Sequence, residues 1–346
     1  MIKSICFLAT YKCNAQCDYC ECGPRVSERL RLQDMVHYMD EGLKLGTIGQ
    51  VIFSGGEPTL LGKDLFTAIR YANEHGLLTR IVTNGWWGRT VPKALVYLDR
   101  LIECGLTEMN ISVDDLHQRW ILPERVKNVF LAAQERQFPC LIAHKAMNNY
   151  AITKESLERF FGVELIEYDE NEKYGKSEDC RLFSSGGVVP VGRQPENPPR
   201  PEDIAYTPCT ANCSSILKDI IIGADHNLLA CCGIVSKGLP ELTLGDLRHH
   251  RLIDLIDKAN HDLVLNWIAL EGPASIAQFV REKDPTVKFN TRYVGTCHLC
   301  NEVLTRPDVR RVLAEHLDEV SGRIQLHRAF LETVRGDKKL VGMYCH

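Results

Sequence analysis

Three cysteines, Cys13, Cys17 and Cys20, fall within the eight-residue run Cys-Asn-Ala-Gln-Cys-Asp-Tyr-Cys. Three thiolates on one short loop can hold three irons of a cubane cluster. The motif supplies no fourth ligand, so one iron stays open, and an open metal position is what lets a small molecule bind a metal. Two alternatives stand beside this reading. Cys22 could close the fourth corner, or the loop could hold zinc, although zinc motifs usually pair one Cys-x2-Cys with another. A second group comprises Cys209, Cys213, Cys231, Cys232, Cys297 and Cys300. Leu217–Ile222, the polar turn Gly223–Asn227 and Leu228–Ala230 read as a β-hairpin flanked by Cys213 and Cys231. With Cys297-His-Leu-Cys300, four thiolates can close a cluster completely, a four-cysteine zinc site being the alternative. Cys232 adjoins a ligand candidate and reads either as a reactive thiol or as a small buried hydrophobe.

The first group resembles the signature of the radical S-adenosylmethionine superfamily, Cys-x3-Cys-x-aromatic-Cys, with Tyr19 in the aromatic slot. The resemblance runs through most of residues 1–150. Gly55-Gly56-Glu57-Pro58 stands where the family keeps a glycine-rich segment for the cofactor's methionine amino group. Thr83-Asn84-Gly85 looks like the next cofactor-facing loop, and Ser112 and Asp114 fall where family members bind the ribose. The resemblance therefore implies a 4Fe–4S cluster on Cys13, Cys17 and Cys20. It implies S-adenosylmethionine held at Tyr19, Gly55, Gly56, Glu57, Asn84, Ser112 and Asp114, and an electron donor such as flavodoxin or ferredoxin. The reduced cluster would cleave the sulfonium to a 5′-deoxyadenosyl radical, which takes a hydrogen atom from a substrate carbon; the cofactor carries the chemistry and the protein positions it.

The second group resembles the Twitch version of the SPASM extension, which implies one auxiliary 4Fe–4S cluster on Cys213, Cys231, Cys297 and Cys300, with Cys209 in reserve for Cys213. The sequence departs from the full pattern: only Cys345 follows Cys300, and His226 stands where a turn glycine is expected. Some radical epimerases of the superfamily return a hydrogen atom from a cysteine thiol, and Cys232 is the candidate here. Gly192-Arg193 resembles a motif of peptide-modifying relatives. The implied function is modification of a ribosomally made peptide by epimerisation, cross-linking or thioether formation. A dehydrogenase or epimerase of a small molecule, such as an amino sugar, is the second reading, and a non-catalytic iron–sulfur or zinc protein the third.

What must position these residues is legible as periodicity. Apolar β-type runs at Ser4–Ala9, Gln50–Phe53, Arg80–Val82, Glu108–Val113, Cys140–Ala143 and Val163–Ile166 alternate with helical patterns such as Leu30, Met35, Met39 and Leu43. Strands starting about thirty residues apart suit βαβ units and a parallel sheet. The expected fold is α/β, a partial (βα)6 TIM-like barrel over residues 1–170, with ligands at the C-terminal strand ends. A Pro-rich bridge over 171–208, a small α+β Twitch/SPASM-like cluster domain over 209–305 and a helical segment over 306–346 complete it, with Pro307–Arg335 read as helical and Val312, Leu313, Leu317, Val320, Ile324, Leu326 and Leu331 as its apolar face. Trp86-Trp87 reads as packing, while Lys145, Asp115 and His117 are weaker candidates for the same face. Cys6, Cys104 and Cys140 sit in apolar patterns and read as core.

Of the 346 residues, 45% are hydrophobic and 25% charged, ordinary for a globular chain, and the net charge of −4 gives no basic footprint for nucleic acid. Fifteen cysteines without a signal-peptide layout in Met1–Thr10 point to reduced thiols and a cytoplasmic location. No stretch reads as approaching the roughly 20 apolar residues of a membrane helix, so no membrane partner is expected.

Overall fold

The computed structural model describes residues 2–18, 20, 22, 26–168, 179–189, 206, 213, 215–233 and 239–336. Tyr19, Gly192, Arg193, Cys209 and Cys345, and the bridge residues other than 179–189 and 206, lie outside the described residues. The first five βα units are β1 (Ser4–Thr10), α1 (Leu32–Leu43), β2 (Gln50–Gly55), α2 (Lys63–Glu74), β3 (Leu78–Thr83), α3 (Val91–Glu103), β4 (Glu108–Ser112), α4 (Asp115–Gln118), α5 (Pro123–Glu135), β5 (Cys140–Ala146) and α6 (Lys154–Phe161). There follow β6 (Ile166–Glu167), β7 (Leu182–Gly187), β8 (Asp219–Ile222), β9 (Asn227–Leu229) and β10 (Thr243–Asp246). Five helices end the fold: α7 (Leu252–His261), α8 (Leu263–Lys283), α9 (Thr296–Thr305), α10 (Pro307–His316) and α11 (Asp318–Gly336).

All ten strands form one sheet in the order β10-β9-β8-β1-β2-β3-β4-β5-β7-β6, the curved, helix-backed sheet of a TIM-like partial barrel. It is parallel from β8 to β6, while β9 and β10 run antiparallel at one edge. All seven residues of β1 are buried because both faces are covered. Ile5, Phe7 and Ala9 join the core beneath the helices, whereas Cys6 and Leu8 join Ile221 and Leu229 in the barrel interior. This is the two-residue alternation of a strand. Gly105 ends the turn after α3 at φ +95, a conformation that only glycine adopts freely.

Four expectations are corrected. The sixth place in the barrel, beside β5, belongs to Leu182–Gly187, paired over six residues. The run expected there contributes only the two-residue β6, at the outer edge. The true strand reads Leu-Phe-Ser-Ser-Gly-Gly, whose small polar residues carry no β-branched signal. The expected auxiliary hairpin does form, but β8 pairs with β1 and so extends the barrel's own sheet. The C-terminal helix is two helices, with Leu326 73% exposed rather than on the buried face. Finally, α8 spans 21 residues and is apolar enough by composition to cross a membrane. Gly272, at φ 77, and Pro273 break it, and Trp267, Ile268, Ile276 and Val280 are buried in a second core that also holds Ile216, Cys231, Cys300 and Val312.

Candidate active site

The loop after β1 carries Cys13, Cys17 and Cys20. Its path is fixed by the loop after β2: the Gly56 N–H donates to the Thr10 carbonyl at 2.6 Å and the Glu57 N–H to the Lys12 carbonyl at 3.0 Å. A Cβ on Gly55 would lie 2.3 Å from the Thr10 oxygen, and one on Gly56 2.2 Å from the Lys12 oxygen. Both glycines thus permit backbone to lie on backbone beneath the cysteines. Glu57 is fully buried. One carboxylate oxygen accepts from the Thr59 N–H at 3.2 Å, the Thr59 hydroxyl at 2.6 Å and the Thr83 hydroxyl at 2.9 Å. The other accepts from the Asn84 N–H at 2.8 Å. Glu57 therefore clamps the loops after β2 and β3 together. Burial pushes its carboxyl upward, opposed by these hydrogen bonds. Asn84 Nδ2 donates to Asn14 Oδ1 at 2.9 Å and toward Cys13 Sγ at 3.8 Å, tying the third loop to the first.

Trp86 and Trp87 pack, as read from sequence: their indole N–H groups donate to Thr59 at 2.8 Å and Thr83 at 3.3 Å. Asp114 is wholly buried, and one oxygen accepts from the Leu116 and His117 N–H groups at 2.9 Å, capping α4. The His117 ring sits 2.8 and 2.9 Å from the two carboxylate oxygens. Burial raises this carboxyl, but His117 outweighs burial and leaves it below the ordinary range. Asp115 holds the Ala151 and Ile152 N–H groups at 3.0 and 2.9 Å.

A cavity of about 680 Å³ opens along the C-terminal ends of β4, β5 and β7, lined by Asn110, Ser112, His117, Lys145, Ser185 and, across it, Cys297. It therefore reaches from the strand ends to the second cysteine group. That group is gathered: a Cβ on Gly233 would lie 3.3 Å from both Cys231 Sγ and Cys297 Sγ. Burial drives the Cys231 thiol well up, with the charges of Cys232, Cys213 and Cys300 adding to the rise. Cys232 Sγ points to Asp219 Oδ2 at 3.9 Å, and Asp219 Oδ1 accepts from the buried Ser4 hydroxyl at 2.7 Å.

The donor sets fit iron–sulfur clusters. Burial pushes the Cys13 thiol up and that of Cys17 to about 12, Asp114 adding to the latter, so thiolates there need a cationic metal beside them. Among the described residues no three His, Cys, Asp or Glu side chains converge as ligands of one ion. Cubane ligands sit on separate irons and need no such convergence.

Several residues facing these sites carried no readable motif. His144 lies 2.9 Å from the Ser185 hydroxyl and 3.0 Å from the Ile152 carbonyl. Inside the barrel, Glu108 accepts from Arg80 at 2.8 Å and from Gln50. Asp219 had one available signal, a lone charge opening an Asp-Ile-Ile-Ile strand.

The fold is thus a parallel barrel whose first strand ends in a loop carrying three cysteines. Residues 7–160 match the family model of the Radical SAM superfamily, so the chain carries a radical SAM domain, and that family implies a 4Fe–4S cluster and S-adenosylmethionine as cofactors. Over 312 residues it is 22% identical to YydG of Bacillus subtilis (strain 168), provisionally named a peptide biosynthesis protein. That match spans 87% of this chain and 92% of YydG. It is 36% identical to the PqqA peptide cyclase of Rhodopseudomonas palustris over 107 residues, 30% of this chain and 26% of the cyclase. Its fold is similar to that of anSMEcpe, solved with AdoMet and a Cp18Cys peptide. The TM-score is 0.55 at 14% identity, covering 95% of this chain and 100% of that one.

Proposed function

We propose that this enzyme modifies a peptide by inverting a carbon centre, with Cys232 returning the hydrogen atom. The observation that carries this reading is the position of Cys232. Its thiol reaches Asp219 Oδ2 at 3.9 Å and lies beside Cys231, one of the four cysteines, with Cys213, Cys297 and Cys300, that we assign as ligands of one auxiliary 4Fe–4S cluster. Asp219 pairs in register with Ser4, at the opposite end of β1 from the Cys13 loop.

When bound, the cluster and S-adenosylmethionine supply the hydrogen-abstracting radical. The Cys232 S–H then gives one hydrogen atom to the substrate carbon, and the sulfur recovers its thiol by taking one electron, from a flavodoxin- or ferredoxin-class donor, and one proton. Asp219 is the nearest group to hold that proton. Similarity to YydG over nearly its whole length favours a peptide substrate.

The test is Cys232→Ala with a candidate peptide in D₂O. We expect 5′-deoxyadenosine to form as before, while inverted product and deuterium uptake at the inverted carbon fall at least 100-fold. Undiminished inversion removes Cys232 from the reaction. Turnover of an amino sugar with no peptide turnover sinks the peptide assignment.

A further inference from the structure

Among the described residues one buried side-chain polar atom has no hydrogen-bond partner: Gln118 Nε2. Buried donors are nearly always paired, and an orphan needs an explanation. The other end of this amide is fixed. Gln118 Oε1 accepts the Asp114 backbone N–H at 2.8 Å, which only the oxygen can do, so flipping the amide would lose that bond and leave two donors facing each other. The NH₂ is therefore the end left over.

Its surroundings identify what it awaits. Gln118 closes α4, the helix capped by Asp114. Arg119, the next residue, pairs with Asp18 at 2.5 Å. Gln118 thus adjoins the residue that ties the end of α4 to Asp18, the neighbour of Cys17 in the cysteine loop. A thiolate–iron centre on Cys17 brings to that segment what the orphan donor lacks, an electron-rich acceptor.

We propose that the Gln118 amide donates an N–H···S hydrogen bond to the Cys17 corner of the radical SAM cluster and raises its reduction potential. Such a bond stabilises the more negative, reduced cluster, and hydrogen bonds to sulfur are among the terms that set iron–sulfur potentials. The inference rests on the reading that Cys13, Cys17 and Cys20 hold this cluster. Gln118 is a positioning and tuning residue, acting on the metal centre through one donor.

The experiment is an EPR-monitored redox titration of anaerobically reconstituted wild type, Gln118→Leu and Gln118→Glu, following the signal that changes when S-adenosylmethionine is added. Gln118→Glu keeps the oxygen that Asp114 needs, and so keeps the loop, while replacing the donor with an acceptor. Gln118→Leu removes both. We expect the reduction equilibrium to fall about tenfold in Gln118→Leu, a shift of about 59 mV to more negative potential for one electron. Gln118→Glu should fall further. A potential unmoved in Gln118→Glu overturns the proposal even if Gln118→Leu fails to fold. Wild-type protein that holds no cluster on these cysteines overturns the underlying reading as well, so the two failures are told apart.

Discussion

Asp114 shows how one buried carboxylate serves two demands. It caps α4 and it orients His117 at the cavity wall, and its carboxyl titrates below the ordinary aspartate value of roughly 3.9. A depressed folded value means the stabilisation is complete above that ordinary value and is lost as pH falls through the lower folded one. We expect α4 to loosen only in that acid window. Fluorescence of Trp120, which is 47% exposed just beyond the helix, should report it. His117→Asn removes the main influence holding the carboxyl down, so the transition should move to higher pH. An unchanged midpoint would show that backbone capping alone sets it. Glu57 illustrates the opposite case, a carboxylate that burial leaves raised despite four hydrogen bonds, and those bonds join the loops after β2 and β3.

The strand-end loops work as a stack, each resting on the one before. Gly56 is the tightest point, and Gly56→Ala places a methyl 2.2 Å from the Lys12 oxygen. Backbone cannot yield there as a side chain would, so the expected cost is about 1–3 kcal/mol, with the cysteine loop displaced. Gly46→Ala is the control. Its φ of +67 strains an alanine by roughly 1–2 kcal/mol, yet nothing lies within 4 Å of the added carbon. Thermal unfolding should fall in both variants, whereas iron bound after reconstitution should fall only in Gly56→Ala. Equal iron loading would show that the loop tolerates the shift. In the auxiliary hairpin, His226 holds φ 66 where a glycine would be at ease, and its ring meets the Tyr38 hydroxyl at 2.7 Å, which ties the turn to α1.

The two cysteine groups are mechanically joined because β8 lies on β1. Tyr11, two residues before Cys13, donates its hydroxyl to Asp225 in the hairpin turn at 3.0 Å. Burial first, and the Asp225 charge second, keep that phenol protonated. Tyr11→Phe should cost about 0.5–1.5 kcal/mol, while Asp225 keeps its bonds to Asn227. Hydrogen exchange should quicken in 219–229 and in the Cys13 loop together. Acceleration confined to the hairpin would show that the two ends open separately. The cavity of about 680 Å³ is walled both by the barrel strands and by Val294–Cys297 at the start of α9, so a molecule seated there would touch both.

Contiguous residues alone marked the cysteine loop, the glycine-rich turn and the first five βα units, because ligand spacing and side-chain alternation are local properties that survive without a fold. The sixth barrel strand was hidden, since Ser184, Ser185, Gly186 and Gly187 are strand only through six-residue pairing with β5. The Cys232–Asp219 contact, the Glu57 clamp and the orphan donor on Gln118 join or face residues that are brought together only when the chain closes. Their chemistry depends on burial and on distances of a few ångströms across the barrel, which packing sets and residue order does not encode locally.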